Sequence, residues 1–302
     1  MIELLGGGGV KANNYFPDSG PGTKTLQYGD ENLGYFGTLT FDEFMSHGDL
    51  RKQLNFFTGV AQNGAVSNQW VKAIYNKKVI FFPRIYIGGA YTWNAMYDAG
   101  LVYGVDGPGN FQGPNGPVNQ QRIVSAKGSN FRVRLFNGDK TDPTSLGSTF
   151  NWGAASTQPS IDINLSEFGT MLNSLKVSPP LAWPGPKWGV LAGDSFFNGV
   201  NGLLKQTFAN NNNNFMYASA SVGVAATAKA SGSYSWIPVL ELIPANEVIL
   251  YPMINVEDLP VSELVPVIVT EIIQDVGLRA IRDPALLATG LDAVHSVTIT
   301  YS

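Results

Sequence analysis

The 302-residue chain is long enough for one large domain or two to three smaller ones, and its net charge of −4 supplies no general attraction for nucleic acid or anionic lipid. Only 14% of its residues are charged, whereas 12% are aromatic and 34 are glycine. Against the roughly 25% charged residues of an ordinary domain, this composition describes a β-rich protein with part of its surface covered by other subunits. With no cysteine, disulfides, thiolate metal sites, Cys nucleophiles and iron–sulfur clusters are excluded together.

The start, "MIELLGGGGVKANNYFPDSG", lacks a basic segment and a sustained apolar stretch, so no secretion signal is expected. The apolar run "LVPVIVTEII" falls short of the ~20 residues that span a bilayer and carries Glu271. A soluble chain made in a cytoplasm is the expectation. Residues 1–30 read as an arm rich in Gly, Asn and Pro, unable to fold alone but able to order against a partner.

"LGYFGTLT" predicts a strand, and "TFDEFMSHGDLRKQLNFF" a helix with Thr40 and Glu43 as a capping box and Gly48 as a break. "WVKAIYNKKVIFFPR" predicts a hairpin: two β-rich runs flank a short turn in which Asn76 takes the left-handed conformation, and Pro83 closes an edge strand. Thr92 is the expected N-cap of a helix carrying Trp93, Met96, Tyr97 and Leu101 on one face and ended by Gly100 or Gly104. "VDGPGNFQGPNGPVNQ" is a loop. "FRVRLFNG" alternates, with Phe131, Val133 and Leu135 inward and Arg132 and Arg134 on a wet face. "SEFGTMLNSL" predicts a short helix capped by Ser166. "FANNNNNFMYASASVGVAATAKASGSYSWIPVLELI" is expected to begin as a loop and end as two strands, with Glu241 the only charge of the closing segment. After Pro244 glycine becomes rare and aliphatics rise, which sets a boundary there. The expected organisation is an arm over 1–30, a main domain over 31–244 and a small β-containing assembly domain over 245–302.

Chemistry is sparse. His47 and His295 show no metal-ligand spacing, and no G-x-S-x-G elbow supports a serine nucleophile. Gly6–Gly9 do not sit between a strand and a helix as a phosphate loop must. Asp139 and Asp142 in "NGDKTDP" are the best candidate for a calcium pair, but a dedicated site needs six to eight oxygens, and the favoured reading of the segment is an ordinary turn after the strand. Trp152, Trp183 and Trp188 lie in Gly/Pro-rich loops, where such rings stack on a sugar or cover a core. Within the Asn210–Asn214 run, Asn212 and Asn213 are candidates to present amides to a polar ligand.

The order of "LGYFGTLTFDEF", "WVKAIYNKKVIFFPR", "TWNAMYDAGLVYG", "FRVRLFNGD" and "SWIPVLELI" resembles a group of virion structural proteins of tailed bacteriophages. The matching residues are Trp70, Lys72 and Phe81–Pro83 in the hairpin, Trp93, Tyr97, Gly100 and Val102–Gly104 in the helix and its exit, Arg132 and Arg134, and Trp236 with Pro238–Leu240. They fall between residues 28 and 243. The ending also resembles the last strand of C-type-lectin-like and sulfatase-modifying-factor-like folds, with Trp236, Pro238 and Leu240 in a structural closing strand. Ile237 stands where relatives carry a basic residue, and the cysteines of the enzymatic branch and the calcium motifs of lectins are absent from this chain. The resemblance implies a β-rich α+β fold, an irregular C-type-lectin-like domain with long loops. It implies a non-enzymatic part of a tailed-phage virion: a tail, neck, fibre or decoration appendage. Its partners would be other virion structural proteins and copies of itself, without a cofactor, nucleic acid or membrane insertion. The alternative is a host-receptor or glycan-binding module with Trp183, Trp188, Asn212 and Asn213 on its binding surface; a polysaccharide-degrading hydrolase is a third reading.

Overall fold

The computed structural model describes residues 14–56, 69–111, 113–144, 166–177, 185–191, 201–208, 211–219, 223–230, 232, 234–245 and 247. The chain divides into two units after Val248, and every described residue belongs to the first. Among the described residues, twelve strands and three helices make a β-rich α+β structure. One sheet holds β1 (Tyr28–Gly29), β2 (Leu33–Thr40), β3 (Gln69–Tyr75), β4 (Lys78–Pro83), β6 (Ile123–Ala126), β7 (Ser129–Arg134) and β12 (Val239–Leu242) in the order β1-β2-β3-β4-β12-β7-β6. The other holds β5 (Gly88–Tyr91), β8 (Gly202–Phe208), β9 (Asn211–Ser219), β10 (Gly223–Ala228) and β11 (Tyr234–Trp236) in the order β10-β9-β8-β11-β5. The helices are α1 (His47–Gln53), α2 (Trp93–Asp98) and α3 (Glu167–Leu175).

Local chemistry accounts for most of these elements. The β3–β4 hairpin turns on Asn76 and Lys77, both at positive φ (48° and 65°), the two-residue geometry whose twist matches the flanking strands. Pro83 ends a strand that is interior to the sheet, not at its edge. Its missing N–H costs no bond to β12, because that neighbour pairs only with Ile80 and Phe81. Thr92 and Ser166 cap α2 and α3 by accepting from Ala95 N and Gly169 N. At the end of α2, Gly100 (φ +75°) donates to Tyr97 O and Leu101 N to Met96 O, the paired bonds of a Schellman exit. The Thr40–Glu43 capping box is formed, but it closes a turn; the helix starts later, at His47, where Ser46 accepts from Asp49 N. Gly48 therefore sits in the first turn of α1 and breaks nothing.

The centre of the seven-stranded sheet is covered on both faces, so β4 reads as an unbroken apolar run. Ile80, Phe82 and Val239 face one core with α3 and Met216 of β9, while Trp70, Phe81 and Leu240 face another with α1 and α2. The segment 234–242 joins the sheets: β11 lies between β8 and β5, the chain crosses at Ile237 and Pro238, and β12 inserts between β4 and β7. Each fully buried aromatic side chain contributes about 1.5–3 kcal/mol to this packing.

Residues 14–30, expected to wait for a partner, lie on their own sheet. Leu26 is buried with Phe36 and Ile74, and Phe16 packs on Phe36 edge to face. The fully buried Lys72 donates to Ser19 Oγ, Pro21 O and Thr23 O at 2.9, 2.9 and 2.6 Å, with the Phe36 ring 4.6 Å from its ammonium. Burial, and then neighbouring Lys24, pull its pKa down to about 7. At the far edge of this sheet, Gln53 of α1 donates to Ser125 O and accepts from Ser125 N at 3.0 and 2.9 Å. It thereby occupies bonding groups an edge strand would offer another chain.

Candidate functional site

The sheet face that is apolar along β3 and β4 turns polar at β12 and β7. Val239 pairs with Arg134 and Glu241 with Arg132 across the ladder, so one alternation places Arg134 and Glu241 on the side where α3 begins. Glu167, the first residue of α3, takes both terminal nitrogens of Arg134 at 2.7 Å, and Glu241 takes its Nε at 2.9 Å. Lys78 closes the network on Glu241 at 2.7 Å. Arg134 is 6% exposed, so the wet face expected for this strand is corrected: two carboxylates brought by α3 and β12 cover it.

Around this network lies a polar cleft. Two adjoining cavities of about 500 and 550 Å³ share Tyr75, Asn76, Asn137, Glu167 and Lys205 in their walls. Tyr103 and Gln121 add to the first, and Asn110, Asp142 and Gln206 to the second. β8 positions Lys205 by a bond from its N–H to Phe136 O at 3.0 Å, and its ammonium lies 6.0 Å from the centre of the Tyr103 ring. Asp142 accepts from Thr207 N at 2.9 Å and sits beside Asn110.

The cleft displaces several titrations. Burial, and then the Arg134 charge, hold Lys205 below its usual range against the pull of Asp142, Glu167 and Glu241. Burial raises Asp142 despite its bonds to Thr207. For Glu241 burial acts upward, but Arg134 and Lys78 outweigh it and hold the carboxyl low. Burial, then the Asp142 carboxylate, push the Tyr103 phenol far up, and its hydroxyl is buried without a hydrogen bond of good geometry among the described residues. Displaced acids and bases gathered in a cleft mark a place for ligand or chemistry. Among the described residues no group of three or more His, Cys, Asp or Glu side chains could hold a metal, and no helix is long and apolar enough to cross a membrane.

The residues singled out from sequence are scattered. Trp188 is half-buried and stacks on Tyr28, with ring centres 6.1 Å apart. Asn212 and Asn213 lie in β9, so the expected loop is instead a strand; Asn213 O accepts from Lys229 N. Trp183, Trp152, His295 and Gly6–Gly9 lie outside the described residues. Trp236 and Leu240 are fully buried, and Pro238 is buried between them. His47 is buried against the rings of Phe41 and Trp70. Asp139 and Asp142 both line the second cavity, with the Asp142 carboxylate bonded to Thr207. Sequence reasoning missed Lys205, Glu167 and Tyr103. The available signal was a lone lysine in the otherwise uncharged segment "GLLKQTF", beside Leu203 and Leu204, where a charge needs a reason.

No family model, no curated protein and no solved structure matches the chain.

Proposed function

We propose that this chain is a non-enzymatic structural component of a tailed-phage virion, part of a tail, neck, fibre or decoration appendage, built on a C-type-lectin-like domain. One observation carries the reading. The residues by which the sequence resembles such proteins are the skeleton of this fold: Trp70, Trp93, Tyr97, Trp236 and Leu240 are fully buried, as are Lys72 and Phe81. That the residues carrying the resemblance hold the fold together supports reading their order as a common scaffold with those proteins. Fold analogy is a weaker warrant for function than a site, so the particle itself supplies the test. Quantitative mass spectrometry of purified particles from the infected host should find the chain in a fixed ratio to the major capsid protein. A few to a few dozen copies would assign it to tail, neck or fibre, and hundreds to a decoration. Absence from particles would overturn the proposal.

The second reading, a host-receptor module on the same appendage, is favoured by the Tyr28–Trp188 stack. Tyr28 stacks on Tyr35 as well as on Trp188 and is 43% exposed, an aromatic surface of the kind that contacts sugars and proteins. Trp188→Ala should then weaken adsorption to host envelopes while leaving particle assembly intact; unchanged adsorption would sink this second reading.

A further inference from the structure

We propose that the cleft around Lys205 binds a saccharide carrying a single carboxylate, with the Lys205 ammonium as its ionic partner. Four cations line the first cavity. Lys78 is paired with Glu241, Arg132 with Glu247, and Arg134 with both Glu167 and Glu241. Lys205 has no hydrogen bond or ion pair from its ammonium among the described residues; the Tyr103 ring lies beside it. A half-buried ammonium with no carboxylate in contact is only partly compensated by charges farther off, and an arriving anion supplies the missing contact.

The walls narrow the class of anion. Val105 is the one aliphatic side chain among the described residues lining the first cavity, so an apolar ligand would gain little. Asn76, Asn110, Asn137 and Gln121 line the two cavities, and side-chain amides offer both donors and acceptors to neighbouring hydroxyls. Glu167, Glu241 and Asp142 stand close enough to act on Lys205 electrostatically, and they would repel a dianion such as phosphate. Lys205 and the exposed Lys140 of the second cavity are the cations without an ion pair among the described wall residues, and with three carboxylates offsetting part of their charge a monoanion suits the cleft better than a dianion. About 500 Å³ lies within the range of small-molecule sites, roughly 300–1,000 Å³, and exceeds what a bare carboxylate ion would fill. The groups involved are distinct from the Trp188 surface, and the inference does not depend on the particle assignment, since binding is read on the isolated chain.

The test is calorimetric titration of the full chain at pH 7 with D-glucuronate, D-glucose and acetate. Glucuronate should bind at least tenfold more tightly than either control. Lys205→Met should lose about tenfold or more of that affinity, as expected for a hydrogen bond to a charged group, while Lys205→Arg should retain part of it. Acetylation of Lys205 in the unaltered chain, followed by mass spectrometry, should be slowed by glucuronate and not by glucose; this readout needs no variant to fold. Equal binding of acetate would mean an adventitious ion only and would overturn the proposal. So would absence of glucuronate binding, an unaffected K205M variant, or failure to protect Lys205.

Discussion

Replacing Arg134 by methionine removes the cation that holds α3, β12 and β7 together in the cleft. Three charge-assisted bonds to carboxylates are lost. Glu167, with a side chain 1% exposed, keeps only the Asn137 backbone N–H and side-chain amide at 3.1 and 3.3 Å, whereas Glu241 keeps Lys78. Breaking a buried pair from one side costs about 3–5 kcal/mol; because one carboxylate retains a cation, a loss of about 3–4 kcal/mol is expected. For a domain of this size that is roughly 6–16 °C in melting temperature at about 2–4 °C per kcal/mol. The loss must also depend on pH. Burial acts upward on the Glu241 carboxyl, and Arg134 leads the interactions that outweigh it and hold the carboxyl low in the folded chain. The stability Arg134 gives through Glu241 is therefore present above the unfolded value of about 4.3 and fades as pH falls through and below it. Urea denaturation followed by tryptophan fluorescence should show a smaller deficit at pH 4 than at pH 7, and R134M/E167Q should recover part of it. A deficit below about 1 kcal/mol with no pH dependence would refute the reasoning and mean that water replaces the guanidinium at little cost.

Four further substitutions have defined outcomes. Lys72→Met should cost about 2–4 kcal/mol, by stranding the three oxygens of residues 19–23, and should speed tryptic cleavage after Lys24. Because the Lys72 pKa is lowered to about 7 when folded, the unfolded chain holds a proton there that the folded chain lacks. Its contribution to stability rises with pH from about 7 to the unfolded value of about 10.4, and K72M should flatten that slope in denaturation curves at pH 7 and 9. Gln53→Ala should cost about 1–2 kcal/mol and raise the aggregation rate in light scattering, since it frees the β6 edge. Gly100→Ala places a Cβ 2.7 Å from Asn119 O at φ +75° and should lose about 1–2 kcal/mol or more. Gly48→Ala, whose new Cβ meets nothing closer than Ser46 Oγ at 3.7 Å, should be neutral or gain up to about 1 kcal/mol. Thermal melts of the pair separate a conformational requirement from mere smallness.

Much of the fold is legible because its signals are local. The Asn76–Lys77 turn, the Thr92 and Ser166 caps and the Gly100 exit each depend on residues within a few positions. The capping box at Thr40 shows where such signals stop: the bonds form as read, yet whether they start a helix or close a turn depends on how the next residues pack. The Asn run failed for another reason. Asn disfavours strands on its own, but Phe215 and Met216 just beyond it are buried, and their docking draws the preceding residues into β9.

Alternation, turn residues and caps act over neighbouring positions, so the β-rich class, a hairpin over 70–84 and helices after Thr92 and Ser166 could be read directly from the chain. The fate of the isolated charges was set by long-range packing instead. Arg134 meets Glu167 and Glu241, 33 and 107 positions away, and Lys72 meets Ser19, 53 positions away. A charge in an alternating strand looks the same in sequence whether water or a distant carboxylate satisfies it. Folding set that choice, and among the described residues it left Lys205 in the cleft with an aromatic ring, and no paired carboxylate, beside its ammonium.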